Sequence, residues 1–186
     1  MPTTTTLRCR CGQVRLAATG EPIMTVECHC ESCRRAGARL QVLAEVPPFR
    51  SPNGGTPFVM VRKDRVQLLQ GAEQLKEFRL APKSPTRRVV ATCCSTPVFL
   101  EFKGGHWLSL YRSLWWQDPP QPTLRTMTAD LPEGVVLSDD IPNARGHSLA
   151  FMAKLLRAWL AMRLRAPKIT YVEGTLELPE PGASSP

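Results

Sequence analysis

The chain carries seven cysteines in three tight groups, and no other feature constrains its fold as strongly. Cys9-Arg10-Cys11-Gly12 comes first, Cys28-His29-Cys30-Glu31-Ser32-Cys33 second, and the adjacent pair Cys93-Cys94 lies far downstream. An odd number cannot close into a complete disulfide framework. In a reducing compartment, thiols clustered at such short separations mark a metal site more often than a bridge. Thiolates are soft ligands that suit zinc, so the pattern predicts one or two zinc ions per chain.

A structural zinc takes four protein ligands, and a catalytic one commonly takes three and keeps a position open. The cysteines divide accordingly. Cys9, Cys11, Cys93 and Cys94 suit a closed site, and Cys28, Cys30 and Cys33 an open one. The closed site would join the first strand to a much later one and would supply much of the folding free energy. Cys93-Cys94 is the difficulty, because neighbours on an extended strand face opposite ways. Both reach one ion only where the backbone bends. Two other arrangements stay open: Cys93 completes a four-cysteine site at the centre, or one of the pair is a small buried core residue.

Around the central group, His29 sits out of parity with Cys28 and Cys30, which points to a supporting or exposed role rather than ligation. Glu31 suits either an acid–base role or a solvated one. Arg34 and Arg35 are the candidates for gripping a substrate carboxylate, with a solvated surface position as the plain alternative. His106 and His147 have no cluster around them and read as ordinary residues.

The length of 186 residues suits one domain, and 42% hydrophobic content suffices for a core. No apolar run is long enough to span a bilayer. The N-terminus has no basic region followed by an apolar stretch, which predicts a cytoplasmic protein. The net charge of +8 is unevenly spread. Residues 145–168 hold Arg145, Lys154, Arg157, Arg163, Arg165 and Lys168 with no acidic residue between them. Such a stretch attracts nucleic acid, an anionic membrane or an acidic partner, or simply keeps the chain soluble.

Alternation and turn residues predict many short strands between residues 7 and 115, a mainly β domain of antiparallel sheets around the zinc sites. Residues 1–6 read as a flexible N-terminus, and Arg34 to Ala38 as one or two helical turns before a strand from Leu40 to Val46. The proline-rich stretch 116–146 reads as an irregular arm on the surface. Residues 147–166 read as one C-terminal amphipathic helix. Its apolar face is Leu149, Met152, Leu156, Trp159, Leu160 and Leu164, widened by Phe151, Leu155 and Met162. Ser148 is a candidate cap and Pro167 a stop. Residues 167–186 read as a short strand and a flexible tail.

The run from Cys9 to Arg15, followed by Cys28-His29-Cys30-Glu31-Ser32-Cys33-Arg34-Arg35, resembles the glutathione-dependent formaldehyde-activating enzymes and the related centromere-protein-V domains. Gly71 and Cys94-Ser95-Thr96-Pro97 occupy the places of later family features, so the resemblance spans roughly residues 7–102. It implies an Mss4-like fold of antiparallel sheets around zinc. It also implies that Cys9, Cys11 and Cys94 are structural ligands and that Cys28, Cys30 and Cys33 hold a second zinc. The late CxxC is altered: Ala91 stands where its first cysteine belongs, Ser95 stands where a glycine belongs, and Cys93 is the shifted substitute. Together with the C-terminal helix, this looks more like a bacterial side branch of the superfamily.

Two functions follow as expectations. One is a thiol-dependent carbon–sulfur lyase-like enzyme, in which a small thiol such as glutathione meets a small carbonyl at the open zinc. The other is a non-catalytic zinc module whose basic helix docks on a protein or nucleic-acid partner. No recognised reading head for nucleic acid appears.

Overall fold

The computed structural model describes residues 2–43 and 45–178. The tail expected over 179–186 lies outside the described residues. Among the described residues, ten strands and two α-helices follow one another as β1 (Thr4–Arg8), β2 (Arg15–Thr19), β3 (Met24–Cys28), α1 (Glu31–Gln41), β4 (Thr56–Arg62), β5 (Val66–Gln70), β6 (Leu75–Phe78), β7 (Thr86–Ala91), β8 (Thr96–Phe102), β9 (Trp107–Tyr111), β10 (Arg125–Thr126) and α2 (Leu149–Ala161). The fold is dominated by sheet and ends in a helix.

The strands form two sheets, β1-β2-β5 and β10-β3-β4-β9-β8-β7-β6. Every pairing is antiparallel except that of β10 with β3. Two-residue periodicity gives the large sheet two apolar faces. Val59, Val61, Val89, Ala91, Leu108 and Leu110 pack toward the small sheet, with Leu7, Val14 and Leu16 opposite. Phe58, Met60, Val90 and Tyr111 face the other way, against Leu40 of α1 and Phe151 and Leu155 of α2. The sheet is therefore the middle layer, and both helices share one of its faces.

Several expectations are corrected. The segment expected as a loose N-terminus supplies the first strand from Thr4. The strand expected from Leu40 to Val46 does not form, because α1 runs on to Gln41. Its buried residues Cys33, Ala36, Gly37 and Leu40 recur at the three- and four-residue steps of a helix. The arm over 116–146 is more than a surface wrapping. It inserts β10 beside β3 and buries Arg125. Beyond α2 the expected strand is reduced to a single bridge, Glu77 to Thr175.

Candidate metal centres and the adjoining cavity

The first centre is built from two turns. Cys9 directly follows β1, and its carbonyl accepts from the Gly12 amide at 3.0 Å while the Val14 amide donates to Cys9 Sγ at 3.3 Å. Gly12 has φ +80°, a conformation glycine adopts without cost. The second turn, residues 92–95, joins β7 to β8, with Ser95 in the left-handed region at φ 53°. This is the bend that lets neighbouring cysteines face one point. The sulfurs of Cys9, Cys11, Cys93 and Cys94 all lie within 4.8 Å of one another. Cys9–Cys11 is 3.6 Å, Cys9–Cys93 3.8 Å, Cys11–Cys93 3.3 Å and Cys93–Cys94 3.9 Å. Four sulfurs bound tetrahedrally to zinc stand about 3.8 Å apart, so the donor set fits that ion. Arg10 N donates to Thr96 Oγ1 at 3.1 Å, a second tie between the two turns.

The second centre forms where β3 runs into α1. Cys28 ends the strand, Cys30 is the N-cap, and Cys33 lies in the first helical turn. Their sulfurs also lie within 4.8 Å of one another. The Cys33 amide donates to Cys30 Sγ at 3.3 Å, and the helix N-terminus favours negative charge there. Cys30 is held down to about 2, first by the Cys28 and Cys33 thiols and then by the Cys33 amide and the charge of Arg88. Hydrogen bonding with Cys30 pushes Cys28 up to about 11, and Cys28 together with Cys30 and burial raises Cys33 as well. Holding all three as thiolates at this separation would require a cation among them. Cys93 belongs to the first centre, so it does not complete the second.

A cavity of about 410 Å³ opens beside the three cysteines. Its walls are largely apolar, with Phe58, Met60, Leu100, Trp107, Phe151 and Leu155 among them. Thr126 and Met127 come from the arm, and His147 lies at the start of α2, stacked on Phe151 at 4.4 Å. Arg88 is the single Lys, Arg, Asp or Glu among the described residues in the lining. It is 1% exposed and shares a face of β7 with Val90. Its Nη2 donates to the carbonyl and hydroxyl of Ser32, whereas Nη1 is buried without a hydrogen-bond partner.

The arginines expected to grip a substrate lie elsewhere. Arg34 donates to the Asp130 carbonyl, and Arg35 makes an exposed pair with Glu31 at 3.7 Å. Neither lines the cavity. Sequence reasoning missed Arg88 and His147, and the parity of Arg88 with Val90 was the available signal.

His29 is fully buried and faces away from the cavity lining, toward Glu27. Glu27 accepts from His29 Nε2 at 2.9 Å, Asn53 Nδ2 at 2.7 Å, Arg125 Nε at 3.1 Å and the Ser51 hydroxyl. Burial would raise the Glu27 carboxyl, but these donors outweigh it and hold the group at about 2. The network fixes β3, the loop before β4 and the arm around the second centre. His106 is likewise buried, bonded to the Leu155 carbonyl at 2.9 Å and stacked on Trp159.

Residues 4–48 match the family model described as glutathione-dependent formaldehyde-activating enzyme. That stretch holds the Cys9–Cys11 and Cys28–Cys33 groups but not Cys93-Cys94, and it is less than half of the chain. The chain is also similar to a Rhodobacter sphaeroides protein whose crystal structure was determined as a structural genomics target. The two are 15% identical with a TM-score of 0.42, over 75% of this chain and 99% of the other. No curated protein matches the chain.

Proposed function

We propose that this chain is a zinc protein of Mss4-like architecture with two unlike centres. Cys9, Cys11, Cys93 and Cys94 would hold a structural ion between the sheets. Cys28, Cys30 and Cys33 would hold a second ion with an open position toward the cavity, where a small thiol meets a carbonyl in a carbon–sulfur lyase-like reaction. The observation that carries this reading is the three-cysteine cluster opening on an apolar cavity whose wall contains Arg88.

Zinc held by Cys28, Cys30 and Cys33 would supply a soft position that lowers the pKa of an incoming thiol. The chain's own residues set everything else. The apolar walls exclude water from the reacting sulfur. Arg88 presents a fixed charge to a ligand carboxylate and orients the ligand. The ligand sulfur attacks the carbonyl carbon, a carbon–sulfur bond forms as the carbonyl π bond breaks, and the thiol proton ends on the new hydroxyl. The reverse direction cleaves the adduct. A thiol with one carboxylate and an apolar body suits this lining better than glutathione, whose additional charges find no partner in the wall.

Cobalt(II)-substituted protein tests the proposal, because sulfur-to-cobalt charge-transfer absorption reports ligand addition. Titration with 3-mercaptopropionate is expected to increase that absorption in the wild type and to leave Cys33→Ser unchanged. A wild-type spectrum unmoved by the thiol would overturn the open centre. Exchange between that thiol with formaldehyde and their S-hydroxymethyl adduct, read by proton NMR, is expected to run faster with the protein than without it, and an unaccelerated exchange would overturn the catalytic part alone.

A further inference from the structure

Helix α2 packs through its less obvious side. Phe151, Leu155, Ala158 and Met162 are buried against the large sheet. The row that periodicity marks as the apolar face points outward instead: Leu149 is 90% exposed, Leu160 56%, and Met152, Leu156 and Leu164 more than half. Trp159 is partly exposed beside them, and Phe102 adds an exposed ring from the end of β8. A groove of about 520 Å³ runs between α2 and the β8–β9 turn, lined by Phe102, Lys103, Trp107, Met152, Leu156 and Trp159. A contiguous apolar face of this kind on a folded chain marks a contact surface.

The charges around it indicate what covers it. Lys154, Arg157, Arg163, Arg165 and Lys168 are all exposed and form no ion pair among the described residues, and Lys103 stands across the groove. A second copy docked symmetrically on α2 would set these cations against their own equivalents. Nucleic acid would satisfy the cations but offers nothing to a centre of leucine and methionine. Residues 179–186, Pro-Glu-Pro-Gly-Ala-Ser-Ser-Pro, contain no large apolar side chain. An anionic lipid surface satisfies both halves, with acyl chains against the leucine row and headgroup phosphates against the cations.

We propose that the outer face of α2, with Phe102 and Lys103, docks this protein peripherally on anionic membranes. The inner face of the same helix lines the cysteine cavity through Phe151 and Leu155, and Met152 lines both cavity and groove. Docking therefore brings the cavity wall to the lipid boundary. The proposal stands independently of the chemistry at the second centre.

Flotation with vesicles tests it. The full chain is expected to float with phosphatidylcholine–phosphatidylglycerol vesicles and not with phosphatidylcholine alone, and to be released by high salt. Lys154→Gln with Arg157→Gln should weaken partitioning roughly 30-fold, at about one charge's worth of attraction each. Leu156→Asp with Leu160→Asp should abolish it. Unchanged circular dichroism and metal content would show that these exposed positions leave the fold intact. Absence of flotation, or flotation unaffected by either pair, would overturn the proposal. So would a dimer in sedimentation equilibrium that Leu156→Asp dissolves, or an RNA complex that competes with the vesicles.

Discussion

Arg88 Nη2 donates to both the carbonyl and the hydroxyl of Ser32, at 3.0 and 2.9 Å, and so pins strand β7 to the first turn of α1. That turn carries Cys30 and Cys33, so the guanidinium holds the second centre in place, and its buried Nη1, which bonds to no protein group, is the atom proposed to meet a ligand carboxylate. A lysine offers one ammonium and cannot serve both tasks. Arg88→Lys should weaken binding of 3-mercaptopropionate about tenfold, the worth of one charged hydrogen bond, with little effect on uncharged ethanethiol. Thiol titration of the cobalt protein checks this. Equal losses for both thiols would assign Arg88 a purely structural role.

The two centres should fail differently. The first joins segments more than 80 residues apart, as the 84 positions between Cys9 and Cys93 show, and its loss removes a long-range tie. Cys9→Ser is expected to give insoluble or unfolded protein by circular dichroism. Cys33→Ser is expected to stay folded. A soluble, fully loaded Cys9→Ser protein would contradict this order.

Gly55 sits against the Glu27–His29 pair. An added Cβ would lie 2.5 Å from Glu27 Cγ and 2.8 Å from His29 Cε1. Both neighbours are buried and held by hydrogen bonds, so neither can move freely. Gly55→Ala should cost about 1–3 kcal/mol as overpacking, read as a lower thermal midpoint. An unchanged midpoint would show that the network is looser than its distances indicate.

The Glu27 carboxyl is lowered from 4.5 to about 2 in the folded chain. Burial opposes the shift, and the His29, Ser51, Asn53 and Arg125 hydrogen bonds produce it. A lowered carboxyl contributes stability that is fully present above about 4.5 and is lost as pH falls toward 2. Its size is on the order of 3 kcal/mol. Cysteine protonation acts over acid pH as well, so the comparison must be with Glu27→Gln. The stability gap between the two proteins in urea should narrow from pH 7 to pH 3. A gap independent of pH would contradict the assignment.

Much of the candidate site was legible because ligand spacing is local. Cys9–Cys11 and Cys28–Cys30–Cys33 are read from the chain directly. Whether Cys93 and Cys94 converge depends on the turn at residues 92–95, which pairing of β7 with β8 imposes from outside the motif. The helical period of α2 was also legible, but not its orientation. Apolar residues cover more than half of its circumference, and only the sheet decides which half is buried. The periodicity of α1 was present in Cys33, Ala36, Gly37 and Leu40, but the short apolar run to Val46 competed with it. Arg88 and Arg125 escaped notice because an isolated arginine usually lies in solvent. Their burial depends on partners distant in sequence, Ser32 for one and Glu27 for the other.

Metal content per chain, measured by elemental analysis on reduced protein, tests the central claim most directly. Two zinc ions in the wild type and one in folded Cys33→Ser are the predicted result. One ion in the wild type, or two retained by Cys33→Ser, would contradict the division into a four-cysteine and a three-cysteine centre.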